Sequence, residues 1–208
     1  PWMVLFRYPR YRFRPGHCDA LHVDLWHGPS NLLRDSGSFS YNADEKWQNY
    51  FPGTKAHNTV EFDGRDQMPK VSRFLRGKWL RAEHVEEILR DNNTLTSAAG
   101  YRDWKGARHH RKVILHPDGL RVEDRVGGFA DSAVLRWRLA PGEWKTEGMS
   151  AVKGDFRLQV SSDADIIRFE IVEGWESRYY MHKNPLPVLE AEIRTNGAFF
   201  TEFAKKQS

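Results

Sequence analysis

Apolar and polar residues alternate with a period of two along most of this chain, and that pattern predicts strands. Leu135, Trp137 and Leu139 alternate with Val134, Arg136 and Arg138, and Ile167, Phe169 and Ile171 alternate with Ile166, Arg168 and Glu170. Each run describes a strand with one buried face. Turn signals break the pattern at short intervals: Pro117-Asp118-Gly119, Gly127-Gly128, Pro141-Gly142 and Asn196-Gly197. The run from Arg111 to Val126 reads as a hairpin around its Pro-Asp-Gly turn. Residues 82–89 (AEHVEEIL) suit a short helix or an edge strand equally well. Short strands at regular spacing predict an all-β fold, a large antiparallel β-sandwich with little helix. Connections are short throughout, so residues 1–208 read as a single domain, with a tail from Ala204 to Ser208 expected to fray.

Composition agrees with a packed fold. The 208 residues are 39% hydrophobic and 13% aromatic, with eight tryptophans, which excludes global disorder. The formal charge is +4, from 32 basic and 28 acidic residues. A mild basic excess suits a polyanionic partner. The charges are interspersed, however, and no interleaved basic and aromatic platform stands out, so nucleic acid is not favoured. Cys18 is the single cysteine and excludes an internal disulfide. No apolar run approaches the roughly 18 residues that span a bilayer. The chain opens Pro1-Trp2-Met3 without a signal-peptide pattern, which reads as an excised piece or a mature fragment.

Candidate chemistry gathers in the first sixty residues. Gly16-His17-Cys18-Asp19 runs into Leu21-His22-Val23-Asp24-Leu25-Trp26, followed by Arg34-Asp35-Ser36-Gly37 and Ala56-His57-Asn58-Thr59-Val60. Histidine and aspartate are poor choices for a half-buried sheet unless they ligate, pair or catalyse. A His, Asp, His set suits zinc, because neutral imidazole and carboxylate match that borderline ion. Seventeen residues separate His17 from Asp35, and twenty-one separate Asp35 from His57, so no local motif links them. Hydrogen-bonded polar residues at strand ends are the plain alternative. His22 and Asp24 share one strand face, so Asp24 could orient a ligand histidine, or His22 could be a satisfied interior residue. Arg12 and Arg14 alternate with Tyr11 and Phe13, and suit either an anionic substrate or a solvated strand face. Arg73 and Phe74 suit a groove or an exposed strand. Trp47, Tyr50 and Phe51, in a loop-like stretch closed by Pro52-Gly53, suit a stacking sugar or a plug for the end of the sandwich. His109 and His110 point to opposite faces and make poor joint ligands.

Three stretches together resemble a known family. They are His17-x-Asp19, then Leu32-Leu33-x-Asp35-x-Gly37-x-x-x-Tyr41, then His57-Asn58-Thr59-Val60-x-x-Asp63-Gly64. In that order they resemble the heparinase II/III-like domain, the β-sandwich C-terminal part of a family of polysaccharide lyases. Arg111 to Gly128 and Ser177-Arg178-Tyr179-Tyr180 extend the resemblance over nearly the whole chain. It implies cleavage of uronic-acid-containing acidic polysaccharides by β-elimination. A base takes the C5 proton, an acid protonates the departing O4, and the sugar carboxylate is neutralised to stabilise the enolate. It also implies a groove shared with an upstream α-helical toroid that supplies a tyrosine and a carboxylate-neutralising asparagine. The present chain is then half of an active site. By the same resemblance His17, Asp35 and His57 hold a zinc ion, structural rather than Lewis-acidic. His17, His22 and His57 become the proton-handling candidates, with Tyr41, Asn58, Arg73 and Arg12 lining the groove. A bacterial periplasm or cell envelope is the expected location. One departure matters: the first histidine of the family's His-x-His-x-Asp motif corresponds here to Pro15, which cannot transfer a proton. Either His17 or His22 takes that role, or this member cuts differently, or the chain is not a lyase but a non-catalytic carbohydrate-binding or assembly module with a structural metal.

Overall fold

The computed structural model describes residues 1–206 and is built almost entirely of antiparallel strands. In chain order these begin with β1 (Trp2–Phe6), β2 (Val23–His27) and β3 (Ser30–Leu33), followed by a short helix α1 (Glu45–Tyr50) and a 3-10 turn (Thr54–Ala56). Next come β4 (Val60–Phe62), the small hairpin β5 (Lys70–Ser72) and β6 (Leu75–Arg76), then β7 (Glu83–Asp91), β8 (Thr94–Arg102), β9 (Arg108–His116) and β10 (Gly119–Gly127). The remainder comprises β11 (Ala133–Arg138), β12 (Lys145–Glu147), β13 (Ser150–Lys153), β14 (Phe156–Ser162), β15 (Arg168–Tyr179), β16 (His182–Ile193) and β17 (Gly197–Lys205).

Two sheets form the sandwich. The larger has the order β12-β13-β14-β17-β10-β9-β8-β7 and the smaller the order β15-β16-β11-β4. Alternation decides which side chains meet between them. Leu120 and Val122 of β10, Leu158 and Val160 of β14, and Phe199 and Phe203 of β17 are buried, facing Leu135 and Trp137 of β11 and Leu189 and Ile193 of β16. The Trp137 indole N–H donates to Thr201 Oγ1 at 3.1 Å, so even the polar atom of this central ring is satisfied across the interface. The β1-β2-β3 sheet closes one end of the sandwich, where Trp2 packs edge-on against Phe203 and Phe156.

The β9–β10 hairpin forms in the register that its Pro-Asp-Gly turn dictates, with Gly119 opposite His116 and Asp124 opposite Arg111. Residues 82–89 belong to an edge strand and not to a helix: β7 pairs with β8 alone, and its outward Glu83, Glu86 and Glu87 guard the open edge. The stretch around Trp47 is helical where a loop was expected. The expected one-sided burial of Val134–Arg138 also fails, because β11 is buried on both faces. Its second face carries Arg136 between Glu61 (2.8 Å) and Glu190 (2.5 Å), and Arg138 under the Tyr50 ring. Buried guanidiniums persist there because every one meets a carboxylate, a hydroxyl or a carbonyl. The tail is ordered further than expected, since Ala204 and Lys205 still pair within β17; residues 207–208 lie outside the described residues.

Candidate active site

The polar constellation assembles where β2, the end of β3 and the turn before β4 converge. A tight turn brings the chain into β2: the His22 amide donates to the Asp19 carbonyl at 3.0 Å, with Leu21 in the left-handed region at φ 62°. Only a local anchor keeps a bulky leucine there. Arg111 provides it, donating from Nη1 to the Leu21 carbonyl at 2.5 Å and to the Asn58 carbonyl at 2.6 Å. The same guanidinium forks onto Asp124, with His109 as a further partner of that carboxylate. One buried arginine therefore fixes the backbone next to both His22 and His57. Asn58 completes the frame. Its amide donates to the Val23 carbonyl (2.8 Å) and to the Arg34 carbonyl (3.2 Å), while its oxygen accepts from the Arg138 amide (2.6 Å).

Asp35 is the centre of the arrangement. Its Oδ1 accepts from the Gly37 amide at 2.9 Å and lies 3.5 Å from His57 Nδ1; its Oδ2 accepts from Arg7 at 2.7 Å and lies 3.9 Å from His22 Nε2. Gly37 is required at this turn: at φ 74° its backbone runs so close to the Ser177 carbonyl that a Cβ would sit 2.1 Å from that oxygen. Burial acts to raise the Asp35 pKa, but His57, His22 and Arg7 outweigh it and hold the carboxyl well below its ordinary range. Arg7 is shared with Asp19 at 3.1 Å.

Donor atoms of His22, Asp35 and His57 lie within 4.8 Å of one another, a spacing that could surround a cation. The hydrogen bonds discriminate among them. The Asn58 amide donates to His22 Nδ1 at 2.9 Å, so the proton of neutral His22 sits on Nε2, facing Asp24 (3.5 Å) and Asp35. That nitrogen offers no lone pair to a metal. His57 is different: both ring nitrogens are buried, and neither has a hydrogen-bond partner among the described residues. His17 lies outside this set of three, with its ring 5.4 Å from that of His57.

Access separates the histidines again. A cleft of about 500 Å³ is lined by Arg7, Tyr11, His17, Asp19, Asp35 and Ser38, with Pro15 in its wall. His17 is partly exposed there, whereas His22 and His57 have no exposed surface. Burial pushes the His17 imidazole down to about 4; His57 reinforces the shift, and Asp19 and Asp35 oppose it. Beyond Ser38, Tyr41 is 61% exposed and packs with Phe74 (5.9 Å) and Tyr180 (6.3 Å). Arg73 lies over the Phe74 ring and donates to Asn42 Oδ1 at 3.0 Å. Asn58 does not line a groove: it is fully buried and its side chain is consumed by backbone partners. Arg12 is exposed and lines a neighbouring cleft instead of the His17 cleft. Trp47, Tyr50 and Phe51 form a plug against Trp175 and Arg138, not a free stacking surface.

Comparison with known proteins gives the family and the fold. The family described as "Heparinase II/III-like, C-terminal" matches residues 4–208. A heparin-sulfate lyase of Bacteroides stercoris is 26% identical over 136 residues, covering 61% of this chain and 18% of that protein. Among solved structures, a heparinase III gene product superposes with a TM-score of 0.83 at 18% identity, covering 99% of this chain and 33% of that one. The heparan sulfate lyase HepC of Pedobacter heparinus gives a TM-score of 0.74 at 19% identity, covering 100% and 33%. The chain thus spans about a third of the solved relatives and less than a fifth of the curated one. By the match over nearly its whole length, this chain belongs to the heparinase II/III-like C-terminal family.

Proposed function

We propose that this chain is the β-sandwich part of a polysaccharide lyase that cleaves uronic-acid-containing glycans by β-elimination, completing its site with an upstream helical domain. The observation that carries the proposal is a neutral, accessible His17 on the wall of a polar cleft. A neutral imidazole has one lone pair and one N–H, so it can take the C5 proton or deliver one to O4. His22 and His57 stand behind it without access to solvent. They hold Asp35, which with Asp19 holds Arg7.

The charge balance of the cleft supports a shared site. Arg7 is already committed to two carboxylates and His17 is neutral, so the cleft has no spare positive charge for a uronate. Neutralising the substrate carboxylate, which the enolate requires, falls to groups outside this chain. The exposed Tyr41, Phe74 and Tyr180 cluster, with Arg73 beside it, offers sugar rings a stacking surface.

Zinc is a competing use of the same side chains: His57 and the Asp35 carboxylate would hold it with His17 as third ligand, and His17 so bound would have no lone pair for proton transfer. When bound, zinc would supply a structural tie between the segments carrying these residues. His22, with its proton on Nε2, would orient the Asp35 carboxylate rather than ligate.

The test is production of unsaturated uronate, followed by absorbance, with the chain joined to its helical domain. His17→Ala should lower turnover by roughly 10²- to 10⁴-fold, the usual contribution of a proton-transfer group. Wild-type turnover in that variant would remove His17 from the chemistry. Pro15 favours a second reading, a non-catalytic carbohydrate-binding module, because it occupies the place of a family histidine. Binding of uronate glycans with no unsaturated product would support that reading.

A further inference from the structure

We infer that a second cleft, next to the His17 cleft and separate from it, binds an acidic oligosaccharide through Arg10, Arg12, Arg81 and Trp79. The inference rests on the glycan-handling reading above and extends it to where the polymer continues beyond the reacting sugar. The cleft has a volume of about 790 Å³ and lies between segment 9–12 and segment 79–85. A backbone bond from the Ala82 amide to the Pro9 carbonyl (3.1 Å) ties its two walls together.

Its chemistry is one-sided. Three guanidiniums and an indole line it, and no carboxylate does. Among the described residues none of the three arginines has a carboxylate partner, although Arg7, Arg34, Arg76 and Arg111 are all paired. Arg10 is steadied over the Tyr8 ring at 5.1 Å. Unpaired guanidiniums at the mouth of a cleft repel one another, an arrangement suited to bidentate capture of carboxylate or sulfate. Trp79 is 43% exposed and its N–H is used by the Arg76 carbonyl at 2.6 Å, so what it presents to the cleft is an apolar ring. Such a ring suits the apolar face of a sugar.

Continuity with the reacting site comes from Tyr11, which lines both clefts. Its hydroxyl is buried and has no hydrogen-bond partner among the described residues. What Tyr11 offers both clefts is therefore its ring, with the hydroxyl turned inward. A single indole with three arginines gives no succession of stacking platforms of the kind a nucleic-acid strand uses.

The test is direct binding of a size-defined heparin octasaccharide to the 208-residue chain by isothermal titration, with single-stranded DNA of matched charge as the competitor. Combined Arg10→Ala, Arg12→Ala and Arg81→Ala should weaken octasaccharide binding at least about tenfold, the loss of one or more charge-assisted contacts. The triple lysine variant should recover only part, since ammonium lacks the fork. Arg121→Ala with Arg125→Ala, on a surface where both arginines are paired, should bind like the wild type. All three cleft arginines are exposed, so none of these changes threatens the fold. No binding by the wild type, or equal binding by the triple alanine variant, overturns the inference. So does DNA that binds as tightly and is lost with the same variants. Because binding is read without turnover, its loss in the arginine variant stands even where His17→Ala leaves elimination untouched. Unaltered binding in the triple alanine variant, alongside lost elimination in His17→Ala, would sink the cleft and leave the lyase reading intact.

Discussion

Asn58 shows how much a single side chain contributes to this site. It touches no solvent, yet its amide closes backbone gaps on three segments: Val23 in β2, Arg34 after β3 and Arg138 in β11. Its own backbone N–H sets the His22 tautomer. Asn58→Ala leaves two carbonyls and one amide buried without partners. At roughly 1–3 kcal/mol for each unsatisfied group, the variant should lose about 3 kcal/mol or more of stability in urea unfolding. A loss under about 1 kcal/mol would show that water replaces the amide. The stretch His57-Asn58-Thr59 was conspicuous in the sequence, but the division of labour within it was not. Both residues sit in polar surroundings at a strand end, and only tertiary contacts make one a scaffold and set the other's buried ring beside Asp35. Arg7 was missed altogether, since an arginine after an apolar strand looks like any solvated charge until Asp19 and Asp35 meet on it.

At the level of elements, the β9–β10 hairpin is the part of the molecule on which the site leans. Its turn fixes a register that sets Arg111 opposite Asp124, and alternation points both inward. That pairing was available from the sequence once the turn was recognised, although its purpose was not. Arg111 reaches across the sandwich to the Leu21 and Asn58 carbonyls because β2 and the turn before β4 pack over this end of β9. Arg111→Leu leaves the buried Asp124 carboxylate to His109 and frees the left-handed turn at Leu21. We expect a loss of about 3–5 kcal/mol, the usual result of breaking a buried pair, read from the urea midpoint. A double variant with Asp124→Leu should regain part of that and no more, since the two carbonyls stay unpartnered. An Arg111→Leu protein as stable as the wild type would refute the anchoring role. Residues 82–89 make the converse point. Their sequence suits a helix or a strand, and pairing with β8 at the sheet edge decided the matter.

For the molecule as a whole, buried histidines add to the loss of stability in acid. His109 is fully buried; burial lowers its pKa, with Asp124 opposing and Arg111 and His110 reinforcing, and its Nδ1 has no hydrogen-bond partner among the described residues. The unfolded chain takes up this proton near the ordinary value of about 6.5, and the folded chain does so only at lower pH. The unfolded state therefore binds more protons below that point, and stability falls as the pH drops. His17, held near 4, adds to the same slope. The urea midpoint should decline from pH 7 towards pH 4, and His109→Gln, which keeps a donor for Asp124, should flatten the decline. A midpoint constant across that window would contradict the assignment. The sequence by itself determined the strand-dominated architecture, the main hairpin and the neighbourhood of the chemistry, because period-two burial and turn residues are local properties. Tertiary structure alone decided which of three histidines reaches a cleft, where the His22 proton sits, why β11 is buried on both faces and that Arg10, Arg12 and Arg81 share one groove. Those facts depend on which segments meet, and distances through space between residues far apart in the chain are not written in their spacing.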